Sequence, residues 1–106
     1  MSSQNKHQKA FEEFAEKAKE QLGNSLKRLV LYGSVARGEQ NGESDVDIFA
    51  VVETEKQKNQ LEELAFDTSV EHEVFMVPII DTEDEFESKK DSIFNQEVEK
   101  TGEIYV

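Results

Sequence analysis

Asp45 and Asp47 are the residues whose type and spacing most directly suggest chemistry in this sequence. They stand two positions apart at the start of a predicted strand, where side chains alternate, so both carboxylates are predicted to share one face. Carboxylates that close repel each other unless one is protonated or a cation lies between them. Mg²⁺ suits such oxygen ligands and completes its shell with water and phosphate. The pair predicts a magnesium site, and a solvated pair is the alternative explanation.

Gly33 and Ser34 directly follow the apolar run Leu29–Tyr32 and open a turn, which predicts an anion site. Backbone N–H groups at the start of a helix bind phosphate, the glycine allows close approach, and the serine adds a hydroxyl donor. Arg37, one turn further on, would contact phosphate or brace the loop. The run is neither a Walker loop nor a dinucleotide-binding glycine motif. A strand-to-helix turn that simply requires glycine is the alternative interpretation.

The two halves together form a more specific pattern. Gly-Ser-x-Ala-Arg-Gly at residues 33–38, a short polar loop, and Ser-Asp-x-Asp at residues 44–47 resemble the signature of the DNA polymerase beta-like nucleotidyltransferase superfamily. The resemblance is closest to its minimal nucleotidyltransferases (MNT), which are chains of about this length. It extends more loosely over the rest of the chain, including residues 98–105, which are similar to the family's closing segment.

The resemblance implies a function and roles for particular residues. Gly33 and Ser34 would hold the triphosphate, and Asp45 and Asp47 would hold one or two Mg²⁺ ions. Arg37 and Ser44, which lie within the same motif, are further candidates for binding the nucleotide. The enzyme would transfer a nucleoside monophosphate, commonly AMP from ATP, to a hydroxyl group, with pyrophosphate leaving. Two metal ions can stabilise the attacking and leaving oxygens of such an in-line displacement.

The family usually carries a third carboxylate on the next strand, and here the sequence departs from that pattern. The predicted third strand, Val70–Ile80, has no acidic residue at its centre. Glu73 is the first candidate for the catalytic acid and Glu71 the second, because alternation would place both on one face, with His72 on the other. Exposed positions without a catalytic role are equally compatible with the sequence. Without a third acid, the chain would bind nucleotide but transfer it inefficiently.

The elements that must position these residues follow from apolar periodicity. The order predicts an α+β fold, a small mixed sheet of three to four strands with helices packed on it, as one domain over residues 1–106. Pro78 predicts that the third strand lies at an edge or changes direction there. The predicted elements are helices at Lys9–Leu22, at Glu55–Phe66 and from near Glu83, and strands at Leu26–Tyr32, Asp45–Val52, Val70–Ile80 and Ile104–Val106.

Composition restricts the possible functions. The 106 residues carry a formal net charge of -12, which disfavours nonspecific binding of nucleic acid. That charge is compatible with a basic protein partner, and with a metal-bound nucleotide because a cation reverses the local field. The chain has no cysteine, so disulfides and thiolate metal sites are excluded. The sequence shows no membrane span or signal-peptide core, and we expect a cytoplasmic protein.

Two functions remain open from the sequence. In the first, the protein transfers a nucleotide to a partner protein; family members of this size often act as antitoxins paired with a helical HEPN ribonuclease, and this role comes from the resemblance alone. In the second, the protein is a binding module with a vestigial nucleotide site that regulates its partner by contact. The preferred nucleoside triphosphate, the acceptor and any homo-oligomer are left undetermined.

Overall fold

The computed structural model describes residues 6–36, 38, 45–89 and 91–106, without the side chain of Ser34. It confirms the predicted α+β class with a four-stranded mixed sheet. The helices are α1 (Lys6–Leu22), α2 (Gly33–Ala36), α3 (Glu55–His72), α4 (Glu83–Lys89) and α5 (Ile93–Thr101), and the strands are β1 (Leu26–Tyr32), β2 (Val46–Val52), β3 (Met76–Thr82) and β4 (Glu103–Ile104). None of the described helices is long and apolar enough to cross a membrane.

The strands lie in the order β3-β2-β1-β4. β1 runs antiparallel to β2 and β4, whereas β2 and β3 are parallel and are joined by α3 as a crossover helix. In this register Asp47 of β2 lies between Tyr32 of β1 and Val77 of β3. The sheet therefore fixes which residues flank Asp47.

Pro78 lies on an edge strand, as its position in the sequence predicts. The carbonyl of Phe75 accepts a hydrogen bond from the N–H of Val46 at 2.8 Å. In a parallel ladder every second residue bonds to a given neighbouring strand, so the backbone nitrogen of Pro78 points away from β2. Proline has no N–H, but this position would not donate to β2, so the sheet loses no hydrogen bond.

One face of the sheet is covered by the two long helices, α1 and α3. The apolar residues of α1 recur at steps of three and four, so they form one stripe that packs on the alternating residues of β1 and β2. This arrangement makes the larger of two cores. Its fully buried members include Ala10, Phe14, Ala18, Leu29, Leu31, Val46, Ile48, Ala50, Val52 and Leu61.

The opposite face carries a smaller core of Val30, Phe49, Val51 and Val98, with Tyr32 and Phe86 packed against it. The short helices α4 and α5 cover it only partly. On the same face of β3, Val77 and Ile79 remain 39% and 38% exposed. The two faces of the sheet are thus covered to different extents.

The predicted strand Val70–Ile80 is confirmed only from Met76, where β3 begins, and its first half is wrong. Helix α3 continues to His72, and Glu73 ends it in the left-handed conformation at φ 57°. The buried stripe of α3 includes Thr68, whose hydroxyl donates a hydrogen bond to the carbonyl of Leu64 at 2.8 Å. Since a polar residue occupies that core position, the apolar pattern of the helix stops before Thr68, and the sequence predicts an end at Phe66 instead of His72.

Thr82 caps α4, the helix predicted to start near Glu83. Its N–H donates to Glu85 Oε1 at 2.8 Å, and the N–H of Glu85 donates to Thr82 Oγ1 at 3.3 Å. This reciprocal pair is a capping box. The backbone N–H of Thr82, together with nearby Lys58, lowers the pKa of Glu85 below its usual 4.5.

Candidate functional site

The backbone of Gly33 lies directly against the side chain of Asp47. Strand β1 ends at Tyr32, which pairs with Asp47, and the chain then turns at Gly33 with φ +79°. A Cβ atom at position 33 would overlap Asp47 Oδ2 and would lie 3.1 Å from Asp47 Cγ. The fold therefore brings the two halves of the motif together, and any side chain at position 33 would displace the carboxylate.

Alternation along β2 fixes the direction of the Asp47 carboxylate. Val46 and Ile48 are fully buried in the larger core, so Asp47 lies on the other face with Phe49. Asp47 is half-buried, and Asp45, which directly precedes the strand, is exposed. The common face of the two carboxylates stays a prediction, because Asp45 lies outside β2.

The turn after β1 is anchored by Val35. Its side chain is 2% exposed and belongs to the larger core. Its carbonyl accepts the N–H of Gly38 at 3.1 Å, and Gly38 has φ +73°. The backbone of Ser34 lies in this turn, but its side chain, Arg37 and Ser44 fall outside the described residues. The triphosphate contacts assigned to those groups stay predictions.

The aromatic rings of Tyr32, Phe49 and Phe94 lie next to the Asp47 carboxylate, on the side of the smaller core. The ring centroids of Tyr32 and Phe94 are 5.7 Å apart, and those of Phe94 and Phe49 are 5.8 Å apart, both in edge contacts. Burial raises the pKa of the Tyr32 phenol, and the charge of Asp47 raises it further. Tyr32 is thus a neutral hydroxyl at physiological pH. Alternation in β1 predicts the face of the sheet on which Tyr32 lies, whereas no sequence pattern indicates that Phe94 packs against Tyr32.

No acidic residue of β3 lies beside Asp47. The residue that pairs with Asp47 is Val77, and the acid of this strand, Asp81, pairs with Val51. Asp81 lies four positions after Val77, which is about 13 Å along a strand. Asp81 is buried and accepts a hydrogen bond from Lys89 Nζ at 3.1 Å. Its charge is compensated within the fold.

The acids predicted for the third strand lie elsewhere. Glu73 ends α3, and the carboxylate of Glu71 lies within 4.8 Å of ligand atoms of Glu13 and His72, between α1 and α3. The strand alternation that grouped Glu71 and Glu73 therefore does not apply. The catalytic role predicted for Glu73 depended on that strand, and as the residue that ends α3 it has lost that structural basis.

The donor groups beside Gly33 suit Mg²⁺. Asp45 and Asp47 supply the hard carboxylate oxygens that this ion prefers, and the absent side chain of Gly33 leaves room at the carboxylate. Within the described ranges, the three-residue group close enough to share an ion is Glu13, Glu71 and His72. There Lys17 Nζ lies 3.1 Å from Glu13 Oε2, and Lys17 and His72 lower the pKa of Glu13. That group is an ion-pair network away from the motif.

Comparison with known proteins identifies the class. A profile of the family described as "Nucleotidyltransferase domain" matches residues 11–102. The chain belongs to this family, which confirms the superfamily indicated by the motif.

Two proteins of Methanocaldococcus jannaschii, each described as a "Putative protein adenylyltransferase", are similar to the chain. The first is 37% identical over 62 residues, which make up 56% of this chain and 63% of that protein. The second is 28% identical over 97 residues, or 92% of this chain and 95% of that protein. The chain thus spans less than two thirds of the first relative and nearly all of the second.

A solved structure described as "Crystal structure of the toxin-antitoxin with AMP-PNP" contains a chain of similar fold. The TM-score is 0.62 at 19% identity, and the alignment covers 88% of this chain and 70% of that chain. This likeness supports the predicted nucleotidyltransferase-like arrangement of a mixed sheet with packed helices.

Proposed function

We propose that this chain transfers AMP from magnesium-bound ATP to a hydroxyl group of a partner protein. The observation that carries the proposal is the contact between the Gly33 backbone and Asp47. This contact places the turn that is expected to bind phosphate directly against a carboxylate of the expected metal site. The family membership and the two relatives described as protein adenylyltransferases support the choice of AMP and of a protein acceptor.

In the proposed reaction, Gly33, Ser34, Arg37 and Ser44 bind the triphosphate. Asp45 and Asp47 hold Mg²⁺, which supplies charge stabilisation for the phosphate oxygens when it is bound. The acceptor oxygen forms a bond to the α-phosphorus, the bond from that phosphorus to the bridging oxygen breaks, and pyrophosphate leaves with the electron pair. The hydroxyl proton passes to solvent, since no described acid of β3 lies beside Asp47.

The partner in this proposal is a HEPN-type toxin, with the chain acting as its antitoxin. Support comes from the similar fold in a structure of a toxin-antitoxin bound to AMP-PNP. The net charge of -12 favours a partner with a basic surface. The nucleotidylated partner would lose its toxic activity.

Transfer of label from ATP tests the proposal. The protein is incubated with Mg²⁺, ATP labelled at the α-phosphate and the product of the neighbouring gene as the candidate partner. We expect label on the partner in wild type, loss of label with EDTA, and loss in Asp45→Asn and Asp47→Asn. Asp84→Asn, which removes an exposed carboxylate from α4, is the matched control and should label like wild type.

A second function is favoured by Val77, which occupies the position beside Asp47 where a third carboxylate would act. In this alternative the chain binds nucleotide and regulates its partner by contact alone. Tight partner binding without label, in wild type and in the aspartate variants alike, would support the binding module and contradict the transfer reaction.

A further inference from the structure

A groove with an apolar floor runs between the second half of α3 and the outer edge of β3. It has a volume of about 570 Å³. Three large apolar side chains on its rim, Phe66, Val70 and Phe75, are 66%, 62% and 76% exposed. Its floor is completed by Ala65, Val74, Met76 and Pro78.

Such exposure requires a physical reason in a chain with a net charge of -12. Isolated apolar residues on a surface are ordinary, but contiguous apolar patches around a concave surface mark sites of interaction. Phe66 and Val70 lie one turn apart on α3, and Phe75 follows the end of that helix. These three side chains therefore form one continuous surface.

The charged residues that line the groove are both glutamates, Glu62 and Glu73. Eleven positions separate them, which corresponds to about 16 Å along a helix. Acidic groups thus stand near the two ends of an apolar floor. The complementary ligand is an apolar ridge with a basic residue at each end.

One end of the groove lies beside the proposed site. The carbonyl of Phe75 accepts the N–H of Val46 at 2.8 Å, and Val46 stands between Asp45 and Asp47. The groove lies on the α3 side of the sheet and Asp47 projects from the other side, so a helix seated on Phe75 would lie across the edge strand from the carboxylate. The groove is therefore close enough to the motif for the same partner to contact both, by reaching around the N-terminal end of β2.

We propose that this groove binds an amphipathic helix of the protein that accepts the nucleotide. Apolar residues of that helix pack on Phe66, Val70 and Phe75, and basic residues about three turns apart pair with Glu62 and Glu73. The inference rests on the proposed function, because it assigns the surface that delivers the acceptor.

The structure favours a helix over the other occupants. Pro78 has no N–H to offer at the outer edge of β3, so an added strand would lose a ladder hydrogen bond at its centre. A second copy of this chain would bring its own Glu62 and Glu73 to the groove, and like charges across an interface are unfavourable.

A peptide tests the groove independently of catalysis. The probe is a fluorescent 18-residue helical peptide of leucine and lysine with one apolar stripe, and fluorescence anisotropy reports its binding. Val70→Lys should weaken binding at least tenfold. Ile104→Lys, on the opposite edge of the sheet, changes a residue that is 53% exposed and should bind like wild type. A peptide with glutamate in place of lysine should not bind.

Two further measurements separate this proposal from the proposed function. Calorimetry with Mg-ATP should give the same affinity for wild type and Val70→Lys, and absent ATP binding in wild type would indicate failure of the proposed function. In the labelling assay Val70→Lys should raise KM for the partner protein at least tenfold and leave KM for ATP unchanged. Equal peptide binding by both lysine variants, or self-association through the groove in ultracentrifugation, would overturn the proposal.

Discussion

The two faces of the sheet use alternate residues of the same strands and yet differ in how they are covered. On the α1 and α3 side, Leu31 and Ile48 have no solvent exposure, whereas on the other side Val77 and Ile79 keep more than a third of theirs. The difference follows from helix length, since α1 and α3 have 17 and 18 residues but α4 and α5 only 7 and 9. One face supplies stability, and the other leaves Asp45 and Asp47 accessible.

Matched isoleucines on the two faces give the largest expected effect. Ile48 is fully buried in the larger core, and Ile79 is 38% exposed on the opposite face. Ile48→Ala should lower the free energy of unfolding by about 2–5 kcal/mol, because it opens a cavity that the long helices cannot fill. Ile79→Ala should cost about 1 kcal/mol or less. Urea unfolding measures both, and equal losses would contradict the distinction between the faces.

Gly33→Ala tests the site on the open face of the sheet, the face that α4 and α5 cover only partly and from which Asp47 projects. The new methyl group would overlap the Asp47 carboxylate, and displacement of a catalytic group by about 1 Å can cost about 100-fold in rate. We expect a loss of that order in AMP transfer, measured with labelled ATP.

Gly23→Ala is the control for the backbone cost of that change. Gly23 also has a positive φ, +55°, but a Cβ there meets nothing within 4 Å. It should destabilise the fold by about 1–2 kcal/mol and leave transfer unchanged. If both alanine variants lost transfer equally, the contact with Asp47 would not be the cause.

Val77→Asp tests whether the open face lacks a catalytic acid. Val77 pairs with Asp47 and is 39% exposed, so an added carboxylate would keep contact with solvent. General-base catalysis contributes about 10²–10⁴-fold, and an acid that is not ideally placed should still raise the transfer rate about tenfold. Ile79→Asp adds the same charge two residues away and should give no gain. A gain in both variants would indicate a general charge effect.

The smallest effect concerns the capping box that holds α4 over the open face. The Thr82 N–H keeps the pKa of Glu85 below its unfolded value, so the unfolded chain binds the proton first as the pH falls. Glu85 therefore stabilises the fold above pH 4.5, and this contribution is lost as the pH falls through its lowered pKa. The difference in Tm between wild type and Glu85→Gln should shrink below pH 4.5. Glu63→Gln, an exposed change on α3, is the reference for charge removal.

Local sequence signals were sufficient for the first half of the fold. The predicted strand Leu26–Tyr32 has the same bounds as β1, because a short apolar run bounded by glycine specifies a buried strand. The position of Asp47 on the face opposite Val46 and Ile48 follows in the same way from alternation in β2. The predicted nucleotidyltransferase family is confirmed by the match over residues 11–102.

The remaining features depend on contacts between distant segments. The sequence does not predict the continuation of α3 because Thr68, a polar residue, occupies one of its core positions. Its hydroxyl donates a hydrogen bond within the helix, which makes that burial possible. The placement of Val77 beside Asp47 is a matter of strand register, which the order of residues in either strand does not specify. The position of Phe94 against Tyr32 requires α5 to return to the sheet. These are the contacts that define the surroundings of Asp47.

Pro78 has a consequence for solubility. Without it, β3 would present a run of apolar, largely β-branched residues along an open strand edge, which is the kind of segment that recruits other chains into aggregates. A proline whose nitrogen faces outward interrupts that template and costs the sheet no hydrogen bond. The residue that marks the edge of the sheet therefore also acts as a gatekeeper against aggregation during folding and storage.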